Sequence, residues 1–276
     1  MSFISSTLYA EKINLSDGSF LQGHFTQGGL VFGTTDPDNQ VKYEQQDVHV
    51  SSQGDFIIAF GRDENLTPEF QLIMPSGQSL IKRLQLKKRQ YAIQHINGLA
   101  KSKVSPQKPT VLARIKKERQ QVAQARLRDD ARTDYRQAFI WPAQGRISGV
   151  YGSQRVLNGK PKWPHYGVDV AAPIGTQVRA PAAGIITLAN DDLFYSGGTI
   201  ILDHGHGLSS SFLHLSELLV DVGDKVKQGD LIARVGVTGR ATGAHLDWRM
   251  NWLKRRIDPA LLVPPMNTAK EDKKDK

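Results

Sequence analysis

A mainly β chain in two domains joined by a helix is predicted by three observations. Apolar runs such as GGLVFG, GDFIIAFG and EFQLIM are short and separated by Gly, Pro, Asn and Asp. A long Arg/Lys/Gln-rich stretch follows, with apolar residues at helical spacing. From Trp141 to about Val263 the chain turns glycine-rich and β-branched, which reads as a second all-β domain.

Taken in order, residues 1–98 are read as an N-terminal antiparallel β-sandwich, with strands from about residue 8 to residue 90. His24, His49 and His95 lie far apart there and form no dense ligand set. Residues 99–140 are read as linker and charged helix: KSKVSPQKP is a linker by its prolines and lysines. The stretch from Val111 to Phe139 is expected to be one helix, with Val111, Ile115, Val122 and Ala125 on its apolar side. Residues 141–265 form the second β-domain, and the lysine-rich tail 266–276 is expected to be disordered. Within the second domain, GTQVRAPAAGIITLA and VGDKVKQGDLIARVG repeat one strand–turn–strand idea, which points to an internally duplicated sheet.

Composition narrows the function classes. A chain of 276 residues with 39% apolar residues builds two modest cores. No run of 18 apolar residues is present, so no helical membrane span is expected. The absence of cysteine excludes disulfides, thiol catalysis and thiolate metal sites. A net charge of +9 favours anionic partners. A nucleic-acid-binding protein is one reading of that charge, but no recognised nucleic-acid motif accompanies it. MSFISSTLYA lacks the n- and h-regions of a secretory signal, so the chain is either cytosolic or a mature form. The second is preferred, with a place in the periplasm or cell envelope, on the strength of the motifs that follow.

Three motifs carry chemistry: His165-Tyr166-Gly167-Val168-Asp169, Ser211-Phe212-Leu213-His214-Leu215, and Gly243-Ala244-His245-Leu246-Asp247-Trp248. Strand periodicity puts His245 and Asp247 on one face and Leu246 in the core. Histidines and carboxylates gathered on an apolar sheet need a compensating charge, because a buried unpaired carboxylate is costly. A divalent cation supplies it. Zinc accepts imidazole and carboxylate with one position left for water, and a water there becomes a nucleophile near neutral pH. Histidines outside the ligand set are then available to move protons or steady an oxyanion.

The order of these motifs resembles the lysostaphin-like (LytM-type) metallopeptidases over residues 141 to 263, through WPAQGRISGVYGSQR, PHYGVDVAAPIGTQVRAPAAGIITLA, GGTIILDHGHGLSSSFLHLS and VGVTGRATGAHLDWRMNW. The resemblance implies a duplicated hybrid motif β-fold, preceded by the β-sandwich that some proteobacterial members carry. It also implies a zinc-dependent endopeptidase acting on peptidoglycan stem peptides. Residue by residue, it implies that His165 and Asp169 bind metal and that His214 and His245 are catalytic. The family's last motif is H-x-H, whose second histidine binds zinc. Asp247 stands there in this chain, and Phe212 stands where the family usually has Tyr. A His/Asp/Asp set is harder and more anionic than His/His/Asp, so tolerance of Mn²⁺ and a raised pKa for the bound water are expected.

Arg155 and Asn158 are placed in the substrate groove, with loop stabilisation as the alternative for both, and the same two readings hold for Arg240 and Thr242. His204 and His206 in DHGHG are read as turn residues, Trp163 as a cleft-wall candidate and Trp248 as core. The competing function is a non-enzymatic envelope protein that activates a partner amidase, as members that have lost ligands do. Neither the bond cleaved nor the oligomeric state follows from the sequence.

Overall fold

A computed structural model describes residues 11–15, 17–99 and 101–266. The N-terminal unit is two four-stranded antiparallel sheets. In strands such as Glu69–Ile73 every second residue is buried, the signature of a sheet with one wet face. The two sheets meet through Phe56 and Phe70, whose rings stack at 6.0 Å.

The C-terminal unit is one ten-stranded sheet. Its main path runs Arg146–Gly149, Val168–Ala171, His245–Trp252, Leu208–Leu218, Gly197–Asp203, Gly184–Leu193, Lys225–Val226. The two repeated segments pair with each other: Gln177–Arg179 lies against Leu231–Val235, and Gly184–Leu193 against Lys225–Val226. The core face is apolar, with Val168, Val170, Phe212, Leu246, Trp248 and Met250 all fully or nearly fully buried.

The helix is shorter than the sequence predicts. It runs Pro109–Ala125, with proline at its start, where the missing N–H is harmless. Ala125 packs with Leu188, Leu193 and Ile201, and Val122 lies against them. Beyond Arg126 the chain leaves the helix. The Asp130 side chain accepts from the Arg132 backbone N–H, a local bond that competes with helix. Arg128 and Arg132 then pair with Asp203 on the sheet, and only a short 3-10 turn follows, at Asp134–Arg136. The linker also holds a single helical turn, Lys101–Val104. The tail expected to be disordered lies outside the described residues from 267 onward.

The two units are joined by backbone as well as side chains. Ile93–Ile96 pairs in parallel with Gln154–Leu157, Arg62 Nε donates to the Gly152 carbonyl at 2.7 Å, and Tyr43 meets Trp252 edge-on at 6.1 Å. These contacts fix the Gln154–Leu157 strand, and with it Arg155, beside the ten-stranded sheet.

His204 and His206 serve the fold. His206 stacks on His49 of the N-terminal unit at 4.5 Å. His204 is fully buried, with Nδ1 on the Ala183 carbonyl at 2.7 Å and Nε2 on Ser210 Oγ at 2.8 Å. Burial pushes its pKa from 6.5 down to about 4. The unfolded chain therefore binds the extra proton between those values, so the stability due to neutral His204 is whole above that window and is lost as pH falls through it. The full loss amounts to about 3 kcal/mol. Denaturant titrations at stepped pH are expected to show this slope in the wild type and about one proton less of it in His204→Gln.

Candidate metal centre

The site is built by register. Val168–Ala171 and His245–Trp252 are antiparallel neighbours in which Asp169 faces Asp247 and Ala171 faces His245. Side chains alternate along each strand, so Asp169, His245 and Asp247 share the face opposite the core, while Leu246 and Trp248 are buried in it. Two like charges directly across a ladder repel. The surrounding groups answer that repulsion. His165 Nε2 lies 3.0 Å from Asp169 Oδ1 and 3.3 Å from Asp247 Oδ1. Arg155 Nη2 donates to Asp169 Oδ2 at 2.5 Å. Arg249 grips Asp247 with Nε on Oδ1 at 2.9 Å and Nη2 on Oδ2 at 2.5 Å.

Backbone spacing makes room for these groups. A Cβ on Gly149, the residue paired with Asp169, would overlap the Asp169 carboxylate. One on Gly167 would overlap Asp247 Oδ1, Arg249 and the Trp248 carbonyl. Gly149→Ala is therefore expected to cost about 1–3 kcal/mol as an overpacking change. It should also weaken metal binding by displacing Asp169, which competition with a chromophoric chelator would read.

His214 reaches the site by a different device. In the Leu208–Leu218 strand, Phe212 pairs with Trp248 on the core side and Leu213 with Asp247. Regular alternation would send His214 back to the core. The pairing with Gly197–Asp203 shifts register here, and His214 has φ +65°, the left-handed region that a non-glycine residue seldom adopts. The bulge turns its ring toward His245, 4.8 Å away between centroids. A carbonyl can only accept, so the 2.9 Å bond from His214 to the Thr238 carbonyl places the proton on Nδ1. His245 does the same with the Gly243 carbonyl at 2.8 Å. Both rings keep the Nε2 lone pair free, and His245 Nε2 stands 3.8 Å from Asp169 Oδ1.

Electrostatics follow from burial and pairing. Burial, partly opposed by Asp247, pushes His214 down to about 4, so it is neutral at physiological pH. Burial works against the charge on Asp247, but Arg249 and His165 outweigh it and hold that carboxyl well below the usual range. Burial and the Asp247 charge push Asp169 up, and His165 with Arg155 pulls it below its ordinary value. Burial would lower His165, yet the two carboxylates raise it.

Metal fit can be judged from atoms left over. His165 Nε2 and Asp169 Oδ1 are buried and make no aligned hydrogen bond, although they face each other. One donor atom each from His165, Asp169 and Asp247 lies within 4.8 Å of the others. Donors around a tetrahedral zinc with bonds near 2.0–2.1 Å are separated by about 3.3 Å, and the two separations from His165 are 3.0 and 3.3 Å. The donor set fits zinc.

The remaining sequence-derived residues are distributed around this centre. Arg155 holds Asp169. Asn158 sits at the end of the adjoining hairpin, where its amide brackets the Leu99 backbone, donating to its carbonyl at 2.6 Å and accepting from its N–H at 3.3 Å. Phe212 is core. Trp163 is 80% exposed, two residues before His165. Arg240 lies over the Tyr195 ring at 4.6 Å. The sequence reading missed Arg249. Its signal was available, since Arg249 is two residues beyond Asp247 in a strand and so shares its face. Arg126, at the end of the helix, carried no such signal.

Comparison with known proteins finds similarity to peptidases. The sequence profile of peptidase family M23 matches residues 163–259. Peptidoglycan DD-endopeptidase ShyA of Vibrio cholerae is 36% identical over 113 residues, which is 38% of this chain and 26% of ShyA. DD-carboxypeptidase/endopeptidase Mpg of Neisseria meningitidis is 37% identical over 101 residues, covering 37% of this chain and 23% of Mpg. The matched stretch thus spans about a quarter of the length of these curated relatives. A crystal structure from Pseudomonas aeruginosa, assigned to the M23 peptidases, aligns over 86% of this chain and 94% of its own with TM-score 0.67 and 26% identity. That likeness extends over both units.

Proposed function

We propose that this chain, whose residues 163–259 match the profile of peptidase family M23, is a zinc endopeptidase that hydrolyses peptide cross-links of bacterial peptidoglycan in the periplasm or cell envelope. The observation that carries the reading is the pair of buried donors, His165 Nε2 and Asp169 Oδ1, that make no aligned hydrogen bond and converge with Asp247 beside two histidines whose Nε2 atoms are free. The substrate class comes from relatives named as peptidoglycan DD-endopeptidases.

His165, Asp169 and Asp247 would hold the ion, which when bound supplies Lewis acidity and lowers the pKa of water. The chain's other residues account for the rest. His214, neutral and oriented by the Thr238 carbonyl, offers Nε2 as a proton acceptor. His245, oriented by the Gly243 carbonyl, presents a second Nε2 on the same side; each Nε2 accepts as it stands, and a ring that has taken the water proton becomes a donor to the developing oxyanion. Arg155 and Arg249 hold the two carboxylates in place. The hard, oxygen-rich donor set favours some tolerance of Mn²⁺.

One observation favours the alternative of an inactive chain that activates a partner amidase. Asp247 already has a full counter-charge in Arg249. Digestion of purified cross-linked peptidoglycan separates the readings. Release of cleaved cross-links by the zinc-supplied protein, abolished by chelator and restored by zinc, supports the endopeptidase. Silence under every metal supplied, with no zinc bound, supports the activator.

A further inference from the structure

Beside the metal centre, along the same face of the sheet, three arginines gather around two serines and an asparagine. Arg249 pairs in register with Ser211. Arg126 arrives from the end of the helix, and its Nη2 donates to Ser211 Oγ at 3.0 Å. On the other side, Arg256 is in register with Asn251, two residues beyond Arg249, and its Nη1 donates to Asn251 Oδ1 at 3.2 Å. Ser209 faces Asn251 across the ladder. Arg249 is thus flanked by a guanidinium on each side.

The cluster is short of negative charge. Asp247 pairs with Arg249. Among the described residues, neither Arg126 nor Arg256 forms an ion pair with a carboxylate, and Arg256 instead lies 5.9 Å from the Tyr166 ring centre. Two buried polar atoms in the cluster have no hydrogen-bond partner: Arg126 Nε and Ser209 Oγ. Burial and the charges of Arg256 and Arg249 disfavour the Arg126 cation. All three arginines are nonetheless partly exposed as residues, the Arg249 side chain to 24%. Crowded, desolvated arginines with leftover donors form an anion site, because guanidinium matches a carboxylate in both charge and hydrogen-bond geometry.

We infer that Arg126, Arg249 and Arg256 form a subsite for a free carboxylate on the peptide substrate, close to the bond held at the metal centre. This rests on the peptidase reading, because it is the ion-binding carboxylate Asp247 that shares Arg249 with the subsite. The chain would therefore prefer a peptide whose residue next to the scissile amide keeps its carboxylate over the same peptide with that group amidated.

The test is a binding measurement that needs no turnover. Full-length protein in chelator is titrated calorimetrically with a cross-linked stem peptide carrying free carboxylates, and with its amidated counterpart. The carboxylate form is expected to bind roughly tenfold tighter or more, the range of charge-assisted bonds to arginine. Arg126→Gln should remove most of that preference, and Arg256→Gln should lower it, with melting curves confirming folded variants. Equal affinity for the two peptides, no binding of either, or a preference that survives both substitutions overturns the inference. Inorganic phosphate is titrated in parallel. If phosphate binds with the same sensitivity to Arg126→Gln while the two peptides do not differ, the cluster is a free-oxyanion site and the substrate assignment fails. Cleavage of both peptides at equal rates by the zinc-loaded protein would also overturn the subsite while leaving the peptidase reading intact. Absence of cleavage with the binding preference present would do the reverse.

Discussion

His214→Ala is expected to lower cross-link cleavage by roughly 10²–10⁴-fold, the range for losing a positioned general acid–base group, while zinc content stays unchanged. The reason lies in how the ring is held. Its Nδ1 proton is committed to the Thr238 carbonyl, so only Nε2 faces the site, and burial keeps the ring neutral down to about pH 4. His214 is not among the three converging donors, so its removal should not release the ion. Ala at φ +65° and the loss of the buried ring and its bond to Thr238 cost some stability, so a melting curve on the same samples confirms that the variant is folded. Cleavage would be followed by mass analysis of released fragments, and zinc by elemental analysis of the same samples. Activity that survives the substitution removes His214 from the chemistry. Joint loss of zinc and activity makes it a ligand or a structural support instead.

Asp247→Asn should have the largest effect on the zinc-free protein. Asp247 is completely buried, and it answers both Arg249 and His165. A neutral amide leaves the guanidinium in place without its counter-charge, a change that typically costs about 3–5 kcal/mol. Thermal denaturation in chelator should register it. The same variant should lose zinc, because one of three donors becomes a poor ligand, and the stabilisation that added zinc confers on the wild type should vanish with it. Arg249→Met tests the other half of the pair. If the ion pair holds the folded sheet together, this variant should also melt early. If Arg249 only orients Asp247, it should melt near the wild type and bind zinc with altered affinity.

The position of Asp247 also explains how a carboxylate is accommodated where the resembling family has histidine. Asp247 and Asp169 face each other directly across the ladder, a pairing that would be repulsive alone. Arg249 and Arg155 take one carboxylate each, and His165 Nε2 lies between the two Oδ1 atoms. The departure at one position is thus matched by a cation on the same face of the same strand.

The sequence by itself determined which side chains could share a face. Period-two alternation placed His245 and Asp247 together and sent Leu246 and Trp248 to the core, because strand geometry is local. The glycine-punctuated apolar runs likewise announced two β units. What only the tertiary structure decided depends on partners distant in the chain. Asp169 meets Asp247 through strand register, which no local pattern encodes. His214 faces the site through a bulge and a left-handed residue, against the alternation that its own strand would dictate. The helix ends near Ala125 because Arg128 and Arg132 are drawn to Asp203 on the sheet, more than seventy residues away. Asn158 is committed to Leu99 for the same kind of reason, since the parallel pairing of Ile93–Ile96 with Gln154–Leu157 brings the two together. Local periodicity fixes faces, and the long-range packing of the two units fixes which faces meet.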